Sequence, residues 1–330
     1  MPLLEKIGIV LATYNPNLEY FKKQIKSIQN QTWKNWICHI VDDCSLSIYQ
    51  AAITKLTAHD SRFICHFHSS NVNHYYNFER GLQYCLEDKS ITAISLADQD
   101  DIWYVEKLTV LLDKLRLEQA VLVHSDLELI NSNDETIHPS AWNFEARNPE
   151  KLSLELLLLR NVFTGCSLLF CTSLLPDILP FPPQTKISWY HDWWIALVAV
   201  HKGNIVHIHQ SLVRYRIHET NNVGVVQDSG KLYRELLVFF RKKFKIAGNS
   251  YLVRRDLSQA FYTRFYQPID QGSYSNPFDD QKLDFGLNIF PLFYTSLLRS
   301  YNSEGIVLRL GLLKILFDIQ KISKILWKRQ

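Results

Sequence analysis

Three aspartates crowd into four positions of the chain, at Asp98, Asp100 and Asp101. They follow an apolar run directly and precede Trp103. Carboxylates this close repel one another unless a cation or hydrogen-bond donors compensate, and hard oxygen ligands select Mg²⁺ or Mn²⁺, which can hold substrate phosphates. The alternative is a helix N-terminus, where Asp101 could cap the first turn. Capping explains one aspartate and leaves two unexplained, so the cluster favours a metal site.

Two further polar clusters follow predicted strands. Thr13, Tyr14 and Asn15 come after the first strand, and Asp42 and Asp43 come after the second. Parallel strands end at one edge of a sheet, where such sheets bind their ligands. Turn preference alone would also place Asn and Asp at these positions, so one cluster by itself would be unconvincing. The three clusters together predict a polar site at this edge.

The elements that must position these clusters alternate along the first 125 residues. Short apolar runs rich in β-branched residues predict strands at 7–12, 36–41, 63–67, 91–96 and 121–123. Apolar residues at helical spacing predict helices at about 18–28, 48–56, 78–86 and 105–117. Continuous apolar strands that alternate with helices predict an α/β fold with a parallel sheet covered on both faces.

After residue 126 the alternation weakens. The patterns predict helices at 152–159 and 193–200, an irregular apolar segment at 161–170 and a strand at 205–208. We expect one domain over 1–229, with halves of about 1–125 and 126–229, followed by a basic and mainly helical extension over 230–330.

Charge is divided unevenly between these two parts. Residues 1–229 hold 19 Lys and Arg against 25 Asp and Glu, a net charge of −6, whereas residues 230–330 hold 17 against 8, a net charge of +9. The basic extension indicates an anionic surface nearby. Residues 231–245 fit an interfacial helix on a membrane face, and they fit equally a helical subdomain or dimer interface with a solvated charged side.

Composition narrows the class of protein further. Six cysteines without a CxxC pair fit free thiols in a reducing compartment. No stretch reaches the roughly 20 apolar residues of a spanning helix, and the start lacks the cleavage site of a signal peptide. The chain also lacks GxGxxG and GxxxxGK[ST], so a bound nucleotide would not be held by a glycine-rich phosphate loop. We expect a cytoplasmic protein in which a metal ion contacts the phosphates.

Six short motifs occur in a fixed order, IVLATYNP, IVDDCS, LADQDDIW, NVFTGCSLLF, YHDWW and YRIHETNN. Each is weak alone, but together they resemble glycosyltransferase family 2 over roughly residues 5–225. The resemblance implies the GT-A fold, a Rossmann-like and mostly parallel sheet flanked by helices. DQDDIW, HDWW and YRIH are most similar to bacterial rhamnosyltransferase-type members, which build O-antigen and capsule.

The resemblance implies a nucleotide-sugar site at the matching positions. Thr13, Tyr14 and Asn15 would lie against the base and ribose, and Asp42 or Asp43 would accept from the pyrimidine N3–H. These are the residues that the sheet argument already brings to one edge.

The resemblance also implies a metal site and a diphosphate site. Asp98 and Asp100 would hold Mg²⁺ or Mn²⁺, with Asp100 favoured as the direct ligand and Asp98 also near the ribose and diphosphate. His218 would be a further metal ligand. Arg214 and Arg216 would come from a flexible segment that closes over the diphosphate. The residue pattern alone leaves another interpretation open, because the two arginines alternate as in a strand and could share a solvated face.

For catalysis the resemblance implies Asp192 as the base that deprotonates an acceptor hydroxyl. Positioned general bases contribute about 10² to 10⁴ in rate, and a helix N-terminus favours the ionised carboxylate. On spacing alone, capping of the helix that begins at Trp193 is at least as good an interpretation. The implied residues of the sugar and acceptor pocket are Trp103, Gly165, Cys166, His191 and Trp193.

The chain departs from the family pattern at two places. Family members often carry a basic residue before the second Asn of a motif that here reads Asn71-Val72-Asn73 and then Tyr76-Asn77. Whether Arg80, one helical turn away, replaces this missing basic residue is left open by the sequence. The glutamate that commonly precedes the base is His191 here, as in the rhamnosyltransferase-like group.

We therefore expect an inverting, metal-dependent glycosyltransferase that uses dTDP-rhamnose, or otherwise a UDP-hexose, in polysaccharide biosynthesis. Its acceptor would be a glycan or lipid-linked glycan, with peripheral contact at the cytoplasmic face of the inner membrane. One alternative is a sugar nucleotidyltransferase, although the glycine-rich basic loop usual after its first strand is missing. The other is a nucleic-acid-binding protein, which the acidic first 229 residues disfavour.

Overall fold

The computed structural model describes residues 5–145, 147, 149–184, 189–217, 244–266, 276, 278 and 314. They belong to two compact units. The first unit covers Met1–Phe144, Phe163–Phe181 and Tyr190–Val226, and the second covers Glu145–Val162, Pro182–Trp189 and Gln227–Gln330. The second unit thus takes two segments from within 1–229. The predicted boundary at 229 lies outside the described residues and stays a prediction.

A nine-stranded sheet forms the first unit. Its strands are β1 (Lys6–Thr13), β2 (Trp36–Asp42), β3 (Phe63–Phe67), β4 (Ile91–Ala97), β5 (Ile102–Trp103), β6 (Leu122–Ile130), β7 (Thr136–His138), β8 (Leu168–Cys171) and β9 (Ile205–Arg216). Their order is β3-β2-β1-β4-β8-β6-β9-β5, and β7 pairs with β6. β1, β2, β3 and β4 run parallel, as do β6 and β9, whereas β8 is antiparallel to both β4 and β6. The prediction of a mostly parallel sheet is confirmed.

Helices cover this sheet. Those of the first unit are α1 (Leu18–Gln29), α2 (Ser47–Thr57), α3 (Asn73–Glu87), α4 (Lys107–Leu117), α5 (Ala141–Phe144), α7 (Leu175–Ile178) and α8 (His191–Lys202). The second unit contains α6 (Leu154–Leu159) and α9 (Phe244–Phe265), which contact each other. None of the described helices is long and apolar enough to cross a membrane. The predicted interfacial helix at 231–245 lies almost entirely outside the described residues.

The core of the first unit follows from the apolar runs in its strands. Every residue of β1 after Lys6 is buried, because helices cover both faces of the parallel part of the sheet. α3 lies very close to β1, since a Cβ atom at Gly81 would come within 2.2 Å of the Val10 side chain. The side chain of Asn17 caps α1 by accepting from the main chain of Glu19 and Tyr20. The six cysteines are free thiols, as predicted.

Two strands are much longer than the apolar pattern predicts, and three short strands, β5, β7 and β8, were missed. β6 and β9 continue to Ile130 and Arg216, whereas the patterns ended at 123 and 208. β6 carries polar residues that are nevertheless buried; Asp126, for example, accepts from the main-chain N–H groups of Leu127 and Trp142. β8 occupies the end of the segment predicted to be irregular. Pairing with neighbouring strands thus overrides the local pattern.

A pair of histidines in the parallel part of the sheet carries a prediction about stability. His39 on β2 lies 3.0 Å from His66 on β3, measured between Nδ1 and Nε2. The ring of His66 stacks on Tyr84 of α3, with 3.7 Å between centroids. Burial, helped by the neighbouring His66, lowers the pKa of His39 to about 4.

The unfolded chain binds a proton at His39 below pH 6.5, and the folded protein does so only near pH 4. Stability therefore falls as the pH drops between these values. We expect His39 to contribute about 2 kcal/mol of the decrease in unfolding free energy between pH 7 and pH 5. Urea denaturation at both pH values should show a smaller decrease for His39→Gln than for the wild type. An equal decrease in both proteins would contradict the assignment.

Candidate active site

The loops after β1 and β4 are joined by one side chain. Gln99 Oε1 accepts hydrogen bonds from Thr13 Oγ1 and from the main-chain N–H of Tyr14, each at 2.9 Å. The ring of Tyr14 remains half exposed beside this contact. Thr13 therefore holds the loop, and Tyr14 is the residue of this pair that offers a surface to a ligand.

The loop after β1 is also bound to the loop after β2. Asn15 has a φ of 41°, in the left-handed region that Asn tolerates. Its N–H donates to Ser45 Oγ at 2.7 Å, and its Oδ1 accepts from the main-chain N–H of Leu46 at 2.9 Å. Hydrogen bonds thus join three loops that lie far apart in sequence into one edge.

The two aspartates after β2 have different surroundings. The Asp42 carboxylate is fully buried and accepts from Ser45 N at 2.9 Å, from Ser45 Oγ and from Gln50 Nε2 at 3.2 Å. Asp43 accepts from Val72 N at 2.8 Å and lies 3.5 Å from Arg80 Nη1, and it keeps a small exposed surface. Asp42 therefore stabilises its own loop. Arg80, the possible replacement for the missing basic residue, contacts Asp43.

The acidic loop, residues Asp98–Asp101, separates its three carboxylates. Asp98 and Asp100 are partly exposed, and Asp98 Oδ1 lies 3.6 Å from His74 Nε2. Asp101 is fully buried, and its Oδ1 accepts the main-chain N–H of Arg216 at 3.1 Å. Burial raises the pKa of Asp101 well above its usual value, and the carboxylates of Asp100 and Asp98 raise it further. Asp101 begins no helix, because β5 follows it directly, so the capping interpretation is wrong.

A lysine lies beneath the acidic loop. The Lys107 ammonium group is completely buried, 3.1 Å from the centroid of the Trp103 ring, and it donates to Ser95 Oγ at 3.1 Å. Burial lowers its pKa well below the usual value, against the opposing effects of Cys166 and Asp101. Trp103 is thus a buried support of the loop, which differs from the pocket-lining role predicted for it.

The N-terminus of α8 contributes the predicted base and its neighbours. Asp192 lies in the first helical turn and is largely buried. The N-cap position belongs to Tyr190, but Asp192 Oδ1 accepts the main-chain N–H of Trp193 at 2.7 Å, so the carboxylate also serves the helix N-terminus. The His191 ring stacks on Phe78 with 3.8 Å between centroids. Trp193 is also buried, beside the predicted base.

An aromatic contact joins α8 to the acidic loop. The ring centroids of His191 and His74 lie 5.0 Å apart, edge to face, and His74 in turn contacts Asp98. Burial lowers the pKa of His191 well below its usual value, and His74 adds to this effect, so the imidazole is neutral. Gly165 lies against the same ring, since a Cβ at this position would come within 2.5 Å of His191 Nε2.

The predicted diphosphate-binding arginines require a correction. Both lie on β9, and their guanidinium groups contact protein groups on β6 and the turn that follows it. Arg214 Nε is 3.3 Å from Glu128 Oε2, and its Nη2 donates to the Asp134 carbonyl at 2.6 Å. The Arg216 side chain is completely buried. Both arginines lie on one strand, as their alternation indicated, but the solvated face left open in the sequence is wrong for Arg216. His218 lies outside the described residues.

Sequence reasoning missed four residues of this region, Ser45, His74, Gln99 and Lys107. Gln99 lies inside the acidic motif, where the sequence argument considered only the carboxylates. Lys107 is directly followed by the apolar stripe of α4 and is itself buried, a position that charged residues rarely occupy. No local signal marks the contact of Ser45 with Asn15 or that of His74 with Asp98, because each joins loops remote in sequence.

The residues present fit a hard divalent cation. Ligand atoms of Asp98, Asp101 and Cys166 lie within 4.8 Å of one another. Burial and the carboxylate of Asp101 raise the pKa of the Cys166 thiol well above its usual value, and a protonated thiol is a poor ligand for Mg²⁺ or Mn²⁺. Asp98 and Asp100, with partly exposed oxygen ligands, are the better pair.

The part of the chain that contains most of this site matches the model of a known protein family. The model of glycosyl transferase family 2 matches residues 8–175, a little over half of the chain. The chain belongs to this family. The match contains the acidic loop and the loops after β1 and β2, and it ends before the predicted base.

Relatives of this glycosyltransferase agree with the assignment. An uncharacterised glycosyltransferase of Rickettsia typhi is 24% identical over 275 residues, covering 79% of this chain and 82% of the relative. The Escherichia coli protein WfgD, a UDP-Glc:alpha-D-GlcNAc-diphosphoundecaprenol beta-1,3-glucosyltransferase, is 22% identical over 261 residues, covering 79% of this chain and 91% of the relative. S. aureus TarS 1–349 in complex with UDP-GlcNAc superposes with a TM-score of 0.56 at 11% identity, covering 94% of this chain and 90% of TarS 1–349. This last likeness shows the GT-A fold.

The contact of Gly165 with His191 predicts a coupled effect of substitution. Gly165→Ala should destabilise the protein by about 1 to 3 kcal/mol, because the new methyl group overlaps the buried imidazole. In a His191→Ala background the same change should cost much less, since the ring is gone. Urea denaturation of the four proteins of this double-mutant cycle measures the coupling. Additive losses would show that the two positions do not meet.

Proposed function

We propose that this glycosyltransferase moves a sugar from a pyrimidine nucleoside diphosphate to a glycan hydroxyl with inversion at the anomeric carbon. The observation that carries the proposal is the joined edge of the sheet, where Tyr14, Asp43, Asp98 and Asp100 lie on three hydrogen-bonded loops. Asp192 is linked to this edge through its neighbour His191, which contacts His74, and His74 in turn contacts Asp98.

The nucleotide half of the proposal rests on the loops after β1 and β2. The exposed ring of Tyr14 offers an apolar face to a base. Asp43, with a carboxylate held by Val72 N and Arg80, is the acceptor proposed for a pyrimidine N3–H. Asp42 is unsuited, since its oxygens already accept from donors of its own loop.

The proposed cofactor is Mg²⁺ or Mn²⁺, held by Asp98 and Asp100, with His218 as a further ligand. When bound, such an ion neutralises charge on the diphosphate leaving group. The two carboxylates orient the diphosphate at the end of β4, and the buried Asp101 holds their loop in place.

Asp192 is the proposed general base. Its place in the first turn of α8 favours the ionised form, because the partial positive charge of the helix end lies beside it. The carboxylate would take the proton of the acceptor hydroxyl on the face of the sugar opposite the leaving diphosphate. One base suffices for this reaction, unlike the two flanking carboxylates of a glycosidase.

The proposed donor is one of two kinds of nucleotide-sugar, and the proposed acceptor is a class of glycan. The motif similarity favours dTDP-rhamnose, and the relative WfgD, named for transfer of glucose from UDP-Glc, favours a UDP-hexose. The same name refers to a diphosphoundecaprenol-linked acceptor, which supports a lipid-linked glycan here. Peripheral contact of the basic extension with a membrane face would suit such an acceptor.

Nucleotide binding can be tested by thermal stabilisation. UDP or dTDP should raise the melting temperature in the presence of Mn²⁺ or Mg²⁺ and not with EDTA, whereas GDP and CMP should have little effect. Saturation at 100 times Kd corresponds to about 2.7 kcal/mol of added stability. Asp100→Ala should abolish the effect. The control Asp113→Ala removes an exposed carboxylate from α4 and should retain it. Stabilisation that survives EDTA would contradict the metal role.

The base assignment predicts a separation of catalysis from binding. Asp192→Asn should lower kcat by about 10² to 10⁴, because the amide cannot accept the acceptor proton. The Kd for the donor nucleotide with Mn²⁺, measured calorimetrically, should stay within about twofold of the wild type. A decrease in kcat smaller than tenfold would mean that another group is the base.

A further inference from the structure

Arg216 ends β9, and its guanidinium group is sealed from solvent among groups of the first unit. Nη1 donates to the Asn131 carbonyl at 2.9 Å and lies 2.5 Å from the Asp134 carboxylate, both on the turn between β6 and β7. The guanidinium carbon lies 4.1 Å from the ring centroid of Tyr20 on α1. Carboxylate, carbonyl and aromatic face together compensate the burial of this cation.

The same residue holds the acidic loop at two consecutive positions. Nε of Arg216 donates to the carbonyl of Asp100 at 2.8 Å, and the main-chain N–H of Arg216 donates to Asp101 Oδ1 at 3.1 Å. The side chain thus determines the orientation of the peptide that carries Asp100. The main chain separately holds the buried carboxyl group that follows.

These contacts give the arginine a role that neither strand geometry nor charge alone would indicate. A guanidinium group donates in fixed directions from a rigid plane, so one group can orient two loops relative to each other. Lysine carries the same charge on a single donor atom and cannot occupy the Nε and Nη1 positions together. The β6–β7 turn is therefore linked to Asp100 through one planar side chain.

We propose that Arg216 is a positioning residue that orients the Asp100 carboxylate toward the metal and diphosphate, with Asp134 as its anchor. The inference rests on the proposed function, since it assigns Asp100 to the metal. It places Arg216 behind the acidic loop and out of contact with the substrate. Loss of the arginine should therefore weaken metal binding first, and activity as a consequence.

Mn²⁺ binding measured by electron paramagnetic resonance in the presence of UDP or dTDP tests the proposal without any acceptor. Arg216→Lys should weaken Mn²⁺ binding by at least tenfold, because the charge remains but the bond to the Asp100 carbonyl is lost. Raised Mn²⁺ should restore the thermal stabilisation by nucleotide in this variant. Restoration distinguishes a misoriented ligand from a missing one.

A second variant keeps the test independent of the folding of the first. Asp134→Asn removes the anionic anchor and suits the backbone, since Asp134 has a φ of 65° and Asn tolerates this left-handed conformation. We expect about threefold weaker Mn²⁺ binding. The matched control is Lys23→Met, which removes the partly exposed cation on the other oxygen of Asp134 and leaves Arg216 unchanged. Its Mn²⁺ affinity should equal that of the wild type.

The outcomes separate this inference from the proposed function. If the wild type binds Mn²⁺ with a nucleotide and folded Arg216→Lys or Asp134→Asn binds it equally well, the positioning role is overturned and the proposed function stands. If the wild type binds no Mn²⁺ with either nucleotide, the proposed function fails and this inference fails with it. If Lys23→Met weakens Mn²⁺ binding as much as Asp134→Asn does, the effect belongs to the β6–β7 turn as a whole. That result would overturn the role of Arg216.

Discussion

The carboxyl group of Asp101 has no exposed surface, and it accepts the main-chain N–H of Arg216 where β9 ends. Removing a carboxylate from water is costly, and burial therefore raises the pKa of Asp101 well above its usual value. The buried side chain of Lys107 lies beneath the same loop, over the ring of Trp103. With Asp101 anchored in this way, the preceding carboxylates of Asp98 and Asp100 are presented toward solvent. The proposed metal site depends on this division among three adjacent aspartates.

The remainder of the candidate site is organised by hydrogen bonds between loops. Gln99 connects the acidic loop to Thr13 and Tyr14 of the loop after β1. Asn15 connects the loop after β1 to Ser45 of the loop after β2. Parallel pairing of β1 with both β2 and β4 brings these loops to one edge of the sheet. These hydrogen bonds fix the three loops relative to one another, so the polar groups that they carry are held at this edge.

On the acceptor side, packing constrains the predicted base. The residue before Asp192 is a buried, neutral histidine, whereas family members commonly carry glutamate at that position. Its ring fills the space between Phe78 and Gly165. It leaves no room for a residue larger than glycine at position 165. His191 therefore holds the start of α8 by shape and aromatic contact. The same ring touches His74, so the base and the acidic loop share one packed group.

Much of the fold could be predicted because apolar runs and helical spacing are local. The strand predicted at 63–67 matches β3 in full. The predictions for β2 and β4 end one residue early, and that for β1 is one residue short at each end. β8 was missed although its residues Leu168–Cys171 are all apolar, because four residues at the end of an irregular segment are a weak local signal. β6 was predicted too short because polar residues interrupt its apolar pattern. Buried polar groups such as Asp126 find their partners only in the folded protein.

The sequence by itself determined the α/β architecture and which polar residues follow each strand, since both depend on neighbours along the chain. Only the tertiary structure decided that Asp101 is buried and Asp100 is not, and that Arg216 lies behind the acidic loop. The bonds that decide this join residues more than one hundred positions apart, Arg216 to Asp100 and Asp101. Such partners depend on the order of strands in the sheet, which no local pattern contains.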